Sequence, residues 1–246
     1  MNSQYAILAC GVGKRIGHIE AIRALDLQVE RGEMFCITGS VGAGKSILLE
    51  LLTGIRKADS GDIRIFGMDV RTHLNQIKQR VGIQLQASSL YDRMTVKEAL
   101  HLFQSYYHKK RSLDELIEML SLESYMNQYI YQLSAGMRHR VSLAVSVVHD
   151  PELIVLDEPY ANQESKYRKE MWTILSNLRD EGKTVVIATC AKEEAQQHCD
   201  RVASLIEGAI MVHNTNEPPQ TAPPFMAVRE EKYRSLKVFK QKEASA

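Results

Sequence analysis

Short apolar runs, each bounded by glycine, proline or charged residues, recur along the chain. The clearest are Met34–Thr38, Val81–Leu85, Leu153–Leu156 and Thr184–Ala188. Continuous apolar runs of this length are typical of strands that are buried on both faces of a parallel sheet. The pattern therefore predicts an α/β fold with a mainly parallel sheet.

Two segments differ from these runs because apolar and polar residues alternate along them. They are Leu25–Val29 and Asp62–Phe66, and the second follows the turn signal Ser60-Gly61. Alternation of this kind predicts antiparallel strands with one buried face. We therefore expect a small antiparallel β subdomain in addition to the parallel sheet.

Helical periodicity dominates between the second and third apolar runs. Helices are predicted over Val96–Tyr107, Leu113–Leu122 and Met137–Val148, and Asp150-Pro151 ends the last one. This stretch predicts an α-helical subdomain inserted at about residues 87–150. We expect one folded unit over residues 1–213, followed over 214–246 by a proline-containing linker and a charged tail.

Composition and charge restrict the class of protein. The chain has 246 residues, of which 44% are hydrophobic, and this is enough for one large domain with a full core. Because 31 Lys and Arg face 30 Asp and Glu, there is no basic excess, and nucleic acid is not expected as a partner. The 4 cysteines lack metal-binding spacing, which favours reduced thiols. Without a secretory pattern or a long apolar run, we expect a cytoplasmic location.

A glycine-rich segment after the first apolar run fits the pattern G-x-x-x-x-G-K-[S/T]. It consists of Gly39, Ser40, Val41, Gly42, Ala43, Gly44, Lys45 and Ser46. A predicted strand enters it and a predicted helix, Ile47–Thr53, leaves it. In this setting successive backbone N–H groups and the helix amino end favour bound phosphate, the lysine reaches the terminal phosphates and the serine binds Mg²⁺. The segment predicts a binding site for MgATP.

Two carboxylates follow the third apolar run, where parallel strands end and ligands of α/β proteins bind. Asp157 is expected to hold Mg²⁺ through water, and Glu158 to accept a proton from the attacking water. An isolated Asp-Glu pair would indicate only a solvated turn. Together with the glycine-rich segment, the pair predicts ATP hydrolysis.

The order of these motifs resembles that of the ATP-binding subunit of ABC transporters. The resemblance extends over Ala6–His213 and is carried by GSVGAGKS and, after the helical insertion, by LSAGMRHRVSLAVSVVHDPELIVLDEP. It implies a P-loop NTPase fold, ATP and Mg²⁺ as ligands, a second cassette with which ATP is shared, and a separate transmembrane permease at the inner face of the membrane. The segments LLTGIRKADSGDIRIFGMDV and LYDRMTVKEAL are most similar to exporters of drugs and antibiotics.

The resemblance also assigns roles to residues outside the two motifs. Gln86 matches a glutamine that contacts Mg²⁺, and Gln84 is its alternative by position. Ser134 is in addition placed to cap the helix that follows. The segment that matches the signature sequence, which contacts ATP held by the opposite subunit, consists of Ser134, Ala135, Gly136 and Met137.

Four positions depart from the family pattern. Ala135 replaces a usual glycine, Glu164 a usual aspartate, Ile16 an aromatic residue that stacks on adenine, and Cys190 a histidine that donates a hydrogen bond to the γ-phosphate. A thiol is a weak donor, whereas a hydrogen bond to a charged group contributes about 1.5–3 kcal/mol. Slow turnover is therefore expected. The departures leave open an alternative, a regulatory subunit that binds ATP but hydrolyses little and is paired with a competent cassette.

Overall fold

The computed structural model describes residues 4–85, 90–160 and 163–214. In chain order its elements are β1 (Tyr5–Ile16), β2 (Ile19–Glu30), β3 (Met34–Thr38), α1 (Lys45–Leu52), β4 (Ser60–Ile65), β5 (Met68–Asp69), α2 (Leu74–Lys78), β6 (Val81–Gln84), α3 (Val96–Ser105), α4 (Leu113–Leu120), α5 (Ala135–Val147), β7 (Leu153–Asp157), α6 (Ser165–Asp180), β8 (Thr184–Thr189), α7 (Lys192–His198), β9 (Arg201–Ile206) and β10 (Ala209–Asn214). The predicted site residue Gln86 and residues 215–246 of the predicted tail lie outside the described residues.

A six-stranded sheet in the order β10-β9-β3-β8-β7-β6 forms the centre of the fold. All neighbouring strands are parallel except β10, which is antiparallel to β9. The four apolar runs form β3, β6, β7 and β8, and every residue of β3, β7 and β8 is buried. The α/β class and the mainly parallel sheet are therefore confirmed.

A four-stranded antiparallel sheet in the order β2-β1-β4-β5 forms the second β element. The predicted antiparallel strands lie within β2 and β4, but they pair with β1 between them and not with each other. Sequence patterning missed β1 because its pairing shifts between Ala9 and Val12 and again after Val12. These bulges break the alternation of apolar and polar residues on which strand prediction depends.

The helices α3, α4 and α5 lie between β6 and β7, where the helical subdomain was predicted. Each begins at a side-chain cap: Thr95 accepts from Glu98 N, Ser112 from Glu115 N and Ser134 from Met137 N. α4 is shorter than predicted because Ser121 takes a left-handed φ of 52° and ends the helix. The exact limits of the subdomain and of the folded unit remain predictions.

Helices cover both faces of the central sheet. α1 packs on one face, where Leu49 belongs to the same hydrophobic core as Ile37 and Val155. α5, α6 and α7 contribute to the core on the opposite face, which includes Leu143 and Trp172. Among the described residues, no helix has both the length and the apolar character that crossing a membrane requires. The carboxyl ends of β3, β7 and β8 meet at one edge of the sheet, and the glycine-rich segment, Asp157, Glu158 and Cys190 lie there.

Candidate functional site

The glycine-rich segment is a tight turn between β3 and the amino end of α1. Gly42 and Gly44 have φ values of 83° and 99°, a conformation that favours glycine. Ala43 N donates to Ser40 O at 3.1 Å and closes the turn. A Cβ on Gly39 would lie 2.7 Å from Leu205 O, so the backbone there is in contact with β9. The turn therefore places backbone N–H groups around the amino end of a helix, as an anion site requires.

Lys45 crosses this turn and is only 7% exposed. Its Nζ donates to Gly39 O at 2.9 Å and to Ser40 O at 3.2 Å. The same ammonium lies 3.1 Å from Cys190 Sγ and 3.4 Å from Glu158 Oε1. The structure thus brings together the predicted lysine, carboxylate and thiol at the mouth of the turn.

The two carboxylates at the end of β7 are held differently. Asp157 is buried as the last residue of the strand. Glu158 has a φ of 48°, which for a residue with a side chain costs on the order of 1 kcal/mol or more. This backbone is fixed because Glu158 N donates to Ala188 O at 2.8 Å, while Oε2 accepts from Thr189 Oγ1 at 3.2 Å. The strained turn directs Glu158 toward Lys45.

A cleft of about 490 Å³ unites most of the predicted hydrolytic residues. Ser46, Asp157, Glu158 and Cys190 all line it. The hydroxyl of Ser46 and the carboxylate of Asp157 are hard oxygen donors of the kind that Mg²⁺ prefers. The chain's own residues therefore fit a magnesium ion in this cleft.

A larger cleft of about 880 Å³ lies beside the turn and is open to the surface. Ile19, Val41 and Ile206 line it, and these aliphatic side chains are 73%, 92% and 53% exposed. Ile16, predicted to contact adenine, lies at the end of β1 opposite Ile19 and is not among the lining residues. Among the described residues that line this cleft there is no aromatic ring.

The signature segment lies apart from both clefts. Ser134 Oγ accepts from Met137 N at 3.2 Å, which confirms the predicted cap of α5. Ser134 and Ala135 are exposed, whereas Gly136 packs against the beginning of α6. A Cβ on Gly136 would lie 3.0 Å from Gln163 Oε1. Within one chain, the structure does not bring these residues to the glycine-rich turn.

Sequence reasoning missed three residues that line the cleft of about 490 Å³: Tyr160, Arg168 and Thr189. Burial raises the pKa of Tyr160, so its hydroxyl stays protonated. Arg168 forms an ion pair with Glu194 at 3.0 Å. Only the fold brings α6 to this edge, so no spacing in the sequence reports Arg168. The position of Thr189 at the end of an apolar run is a signal that could have identified it.

A strand, a glycine-rich turn and a helix that carry a buried lysine, together with acidic residues at the end of a second parallel strand of the same sheet, define a P-loop NTPase. The chain belongs to the ABC transporter family, whose sequence profile matches residues 22–161.

Relatives and solved structures agree with this assignment. The Nod factor export ATP-binding protein I of Burkholderia lata is 35% identical over 202 residues, which are 80% of this chain and 66% of the relative. A daunorubicin resistance ATP-binding protein of Streptomyces coeruleorubidus is 33% identical over 215 residues, which are 85% of this chain and 68% of the relative. The chain thus spans slightly less than two thirds of the first of these relatives.

The chain is similar to a solved dimeric ATP-binding cassette bound to ADP and Pi in a post-hydrolysis state. The TM-score is 0.78 at 25% identity, and the match covers 86% of this chain and 100% of the solved chain. A dimeric bacterial ABC transporter cassette has a TM-score of 0.77 at 26% identity with the same coverage. The predicted resemblance to ABC ATP-binding subunits of the exporter type is confirmed.

Proposed function

We propose that this chain is the ATP-binding and ATP-hydrolysing subunit of a membrane exporter. One observation carries the proposal: Lys45, Glu158 and Cys190 meet at the glycine-rich turn, and the oxygen donors Ser46 and Asp157 line the same cleft. Phosphate oxygens would draw the Lys45 ammonium from the carbonyls of Gly39 and Ser40, because a hydrogen bond to a charged acceptor is the stronger one.

Hydrolysis would use groups that the fold already orients. Ser46 and Asp157 would hold Mg²⁺, which neutralises charge on the β- and γ-phosphates when it is bound. Glu158 would accept the proton of the attacking water, and the Thr189 hydroxyl would hold its carboxylate in place. The strained backbone of Glu158 fixes the direction of that side chain before the reaction begins.

Two cassettes and a permease would complete the transporter. Ser134 lies exposed at the amino end of α5, where the helix dipole and free N–H groups favour an anion. Because this surface lies apart from the P-loop of its own chain, we infer that it contacts ATP held by a second cassette. We further infer that a separate transmembrane permease holds the pair at the inner face of the membrane. The exporter names of the relatives support the direction of transport.

Cys190 is proposed to slow hydrolysis without preventing it. Its thiol stands where the family resemblance leads one to expect histidine, which is a stronger hydrogen-bond donor. Lys45 and Glu158 nevertheless lie beside it. The relatives give no support to the alternative of a purely regulatory subunit. The substrate of the exporter would be determined by the permease.

Calorimetry with ATP and Mg²⁺, combined with a phosphate-release assay on the same preparation, tests the proposal. We expect ATP binding that Lys45→Ala removes, and slow release of phosphate that depends on Mg²⁺. Arg56→Ala, which removes a cation paired with Glu50 near the carboxyl end of α1, serves as a control and should change neither. A folded protein that takes up no ATP at millimolar concentration would contradict the proposal.

A further inference from the structure

The cleft of about 490 Å³ contains a cation that the proposed hydrolysis does not use. Among the described residues that line this cleft, Lys45 and Arg168 carry positive charge. Lys45 belongs to the glycine-rich turn, whereas Arg168 reaches the cleft from α6. Contact with the phosphates of ATP accounts for the lysine and leaves the arginine without an assigned role.

Arg168 lies at the beginning of α6, where its backbone N donates to Glu164 O at 3.1 Å. A positive side chain at the amino end of a helix opposes the helix dipole, so its charge does not stabilise α6. The first turn of α6 carries no acidic residue that would offset this charge. The charge of Arg168 and the amino end of the helix instead favour an anion in the same direction.

The guanidinium of Arg168 has a single ion-pair partner, Glu194 of α7. The distance from Nη1 of Arg168 to Oε1 of Glu194 is 3.0 Å, and the two side chains are 38% and 26% exposed. The buried Nε of Arg168 donates to none of the residues that the structure describes. A guanidinium can donate two parallel hydrogen bonds to one anion, and a partly exposed ion pair contributes little to stability. Arg168 can therefore exchange Glu194 for another anion at low cost.

Glu194 is held in place by a second donor that does not depend on Arg168. The Nε1 of Trp172 donates to Oε2 of Glu194 at 3.1 Å. Trp172 is only 2% exposed, and its ring stacks on His198 with centroids 4.6 Å apart. The carboxylate of Glu194 therefore keeps a hydrogen bond and its position when the guanidinium leaves. The structure allows Arg168 to move alone.

Hydrolysis as proposed above would release a phosphate ion into this cleft, beside Lys45. Near pH 7 a phosphate group carries more than one negative charge, and the planar guanidinium of arginine matches its oxygen atoms. The carboxylate of Glu158 lies 3.4 Å from Lys45 and repels a free anion there. Among the described residues of the cleft, Arg168 offers the second positive charge to which such an ion can move.

We propose that Arg168 binds the phosphate ion released by hydrolysis, and that its guanidinium exchanges Glu194 for this ion while MgADP still occupies the glycine-rich turn. The inference rests on the proposed function, because ATP hydrolysis is the source of the ion. It assigns a product-binding site to the beginning of α6. Because Glu194 also accepts from Trp172, the exchange changes the surroundings of the indole ring.

The test titrates inorganic phosphate into the whole chain loaded with MgADP and follows its binding by phosphorus NMR. Arg168→Gln removes the proposed binding charge. Glu194→Gln removes the competing charge, while its amide oxygen can still accept from Trp172. Arg179→Gln is the matched control, because Arg179 lies at the other end of α6 and is paired with Asp180 at 2.9 Å. ADP affinity is measured separately for each variant.

We expect the two site variants to change phosphate affinity in opposite directions. Arg168→Gln should weaken binding about tenfold, as expected when a hydrogen bond between charged groups is lost. Glu194→Gln should strengthen binding about threefold, because the competing ion pair is removed. Arg179→Gln should match the unaltered chain. A purely structural ion pair would instead make both site variants weaker, and this result, an unchanged affinity in Arg168→Gln or an equal loss of ADP affinity would overturn the inference.

A measurement on the unaltered chain does not depend on how the variants fold. Trp172 is the only tryptophan of the chain, so its fluorescence reports on the hydrogen bond to Glu194. Adding phosphate to the MgADP complex should change this emission in a saturable way, whereas chloride at equal ionic strength should not. Constant emission would overturn the inference alone. A chain that binds neither ATP nor MgADP would instead contradict the proposed function.

Discussion

The Nζ of Lys45 lies 3.1 Å from the Sγ of Cys190, and this contact joins the glycine-rich turn to the end of β8. It places a thiol where the ABC resemblance leads one to expect a histidine. Because Lys45 also lies 3.4 Å from Glu158 Oε1, any change at position 190 is felt by the groups that are proposed to act on ATP.

Replacing Cys190 by histidine is expected to raise kcat about tenfold. A ring N–H donates to a charged phosphate oxygen more strongly than a thiol does, and a difference of about 1.4 kcal/mol in the transition state gives a factor of ten. Cys190→Ala is the matched control and should stay within about threefold of the unaltered chain, because the weak donor contributes little. Steady-state phosphate release measures both, and a Cys190→His variant no faster than the original would contradict the proposed role.

Glu158→Gln should lower kcat by at least about 10²-fold and leave ATP affinity nearly unchanged. The amide cannot accept the proton, although it keeps the shape of the side chain and its contact with Thr189. Single-turnover hydrolysis and calorimetry on the same sample separate the two effects. Glu118→Gln, which changes an exposed carboxylate of α4, is the control and should keep hydrolysis within a few-fold.

A comparison of Ser134 with Ser112 separates the helix-capping role of Ser134 from its proposed role in the signature segment. Each caps a helix, so either change to alanine should cost about 1 kcal/mol of stability. Only Ser134→Ala should also abolish ATP-dependent dimerisation, measured by size-exclusion chromatography of the Glu158→Gln protein. Equal dimerisation of the two variants would show that Ser134 is a cap and nothing more.

Gly82→Ala should be among the most destabilising single changes, by about 3 kcal/mol, because its Cβ would meet backbone rather than a movable side chain. Gly136→Ala is a matched control, since its Cβ would lie 3.0 Å from the flexible end of Gln163. Its cost should stay below about 1 kcal/mol. Urea unfolding curves give both values, and similar midpoints would mean that α5 does not rest on β6 as closely as the structure shows.

Acid should destabilise the fold through His149. Burial lowers the pKa of this residue to about 4, and its ring stacks on Tyr107 with centroids 3.8 Å apart. Because the unfolded chain takes up the proton near its ordinary pKa of about 6.5, stability falls as the pH drops from there toward 4, by about 2 kcal/mol at pH 5. His149→Phe keeps the stacking and should remove this part of the pH dependence in urea unfolding. An unaltered pH dependence would contradict the buried neutral state.

Local patterns determined what could be predicted. The glycine-rich turn, its strand and its helix follow from adjacent residues, as do β7 and the acidic pair after it. The strand β1 was missed because bulges interrupt its alternation, and short strands such as β5 leave little periodicity to detect. Packing of α6 on the central sheet, between segments distant in sequence, places Arg168 beside the site, so nothing near this residue in the chain indicates its surroundings.

The hydrogen bonds within the glycine-rich turn have a consequence for the rate at which it binds ATP. Ordering a residue costs about 1–2 kcal/mol in backbone entropy. Since Ala43 and Lys45 already tie the turn to Gly39 and Ser40, that cost is met once, when the polypeptide folds. When ATP binds, phosphate oxygens would replace these backbone carbonyls as the acceptors of Lys45. The rate of ATP binding would then be limited by diffusion and not by ordering of the loop.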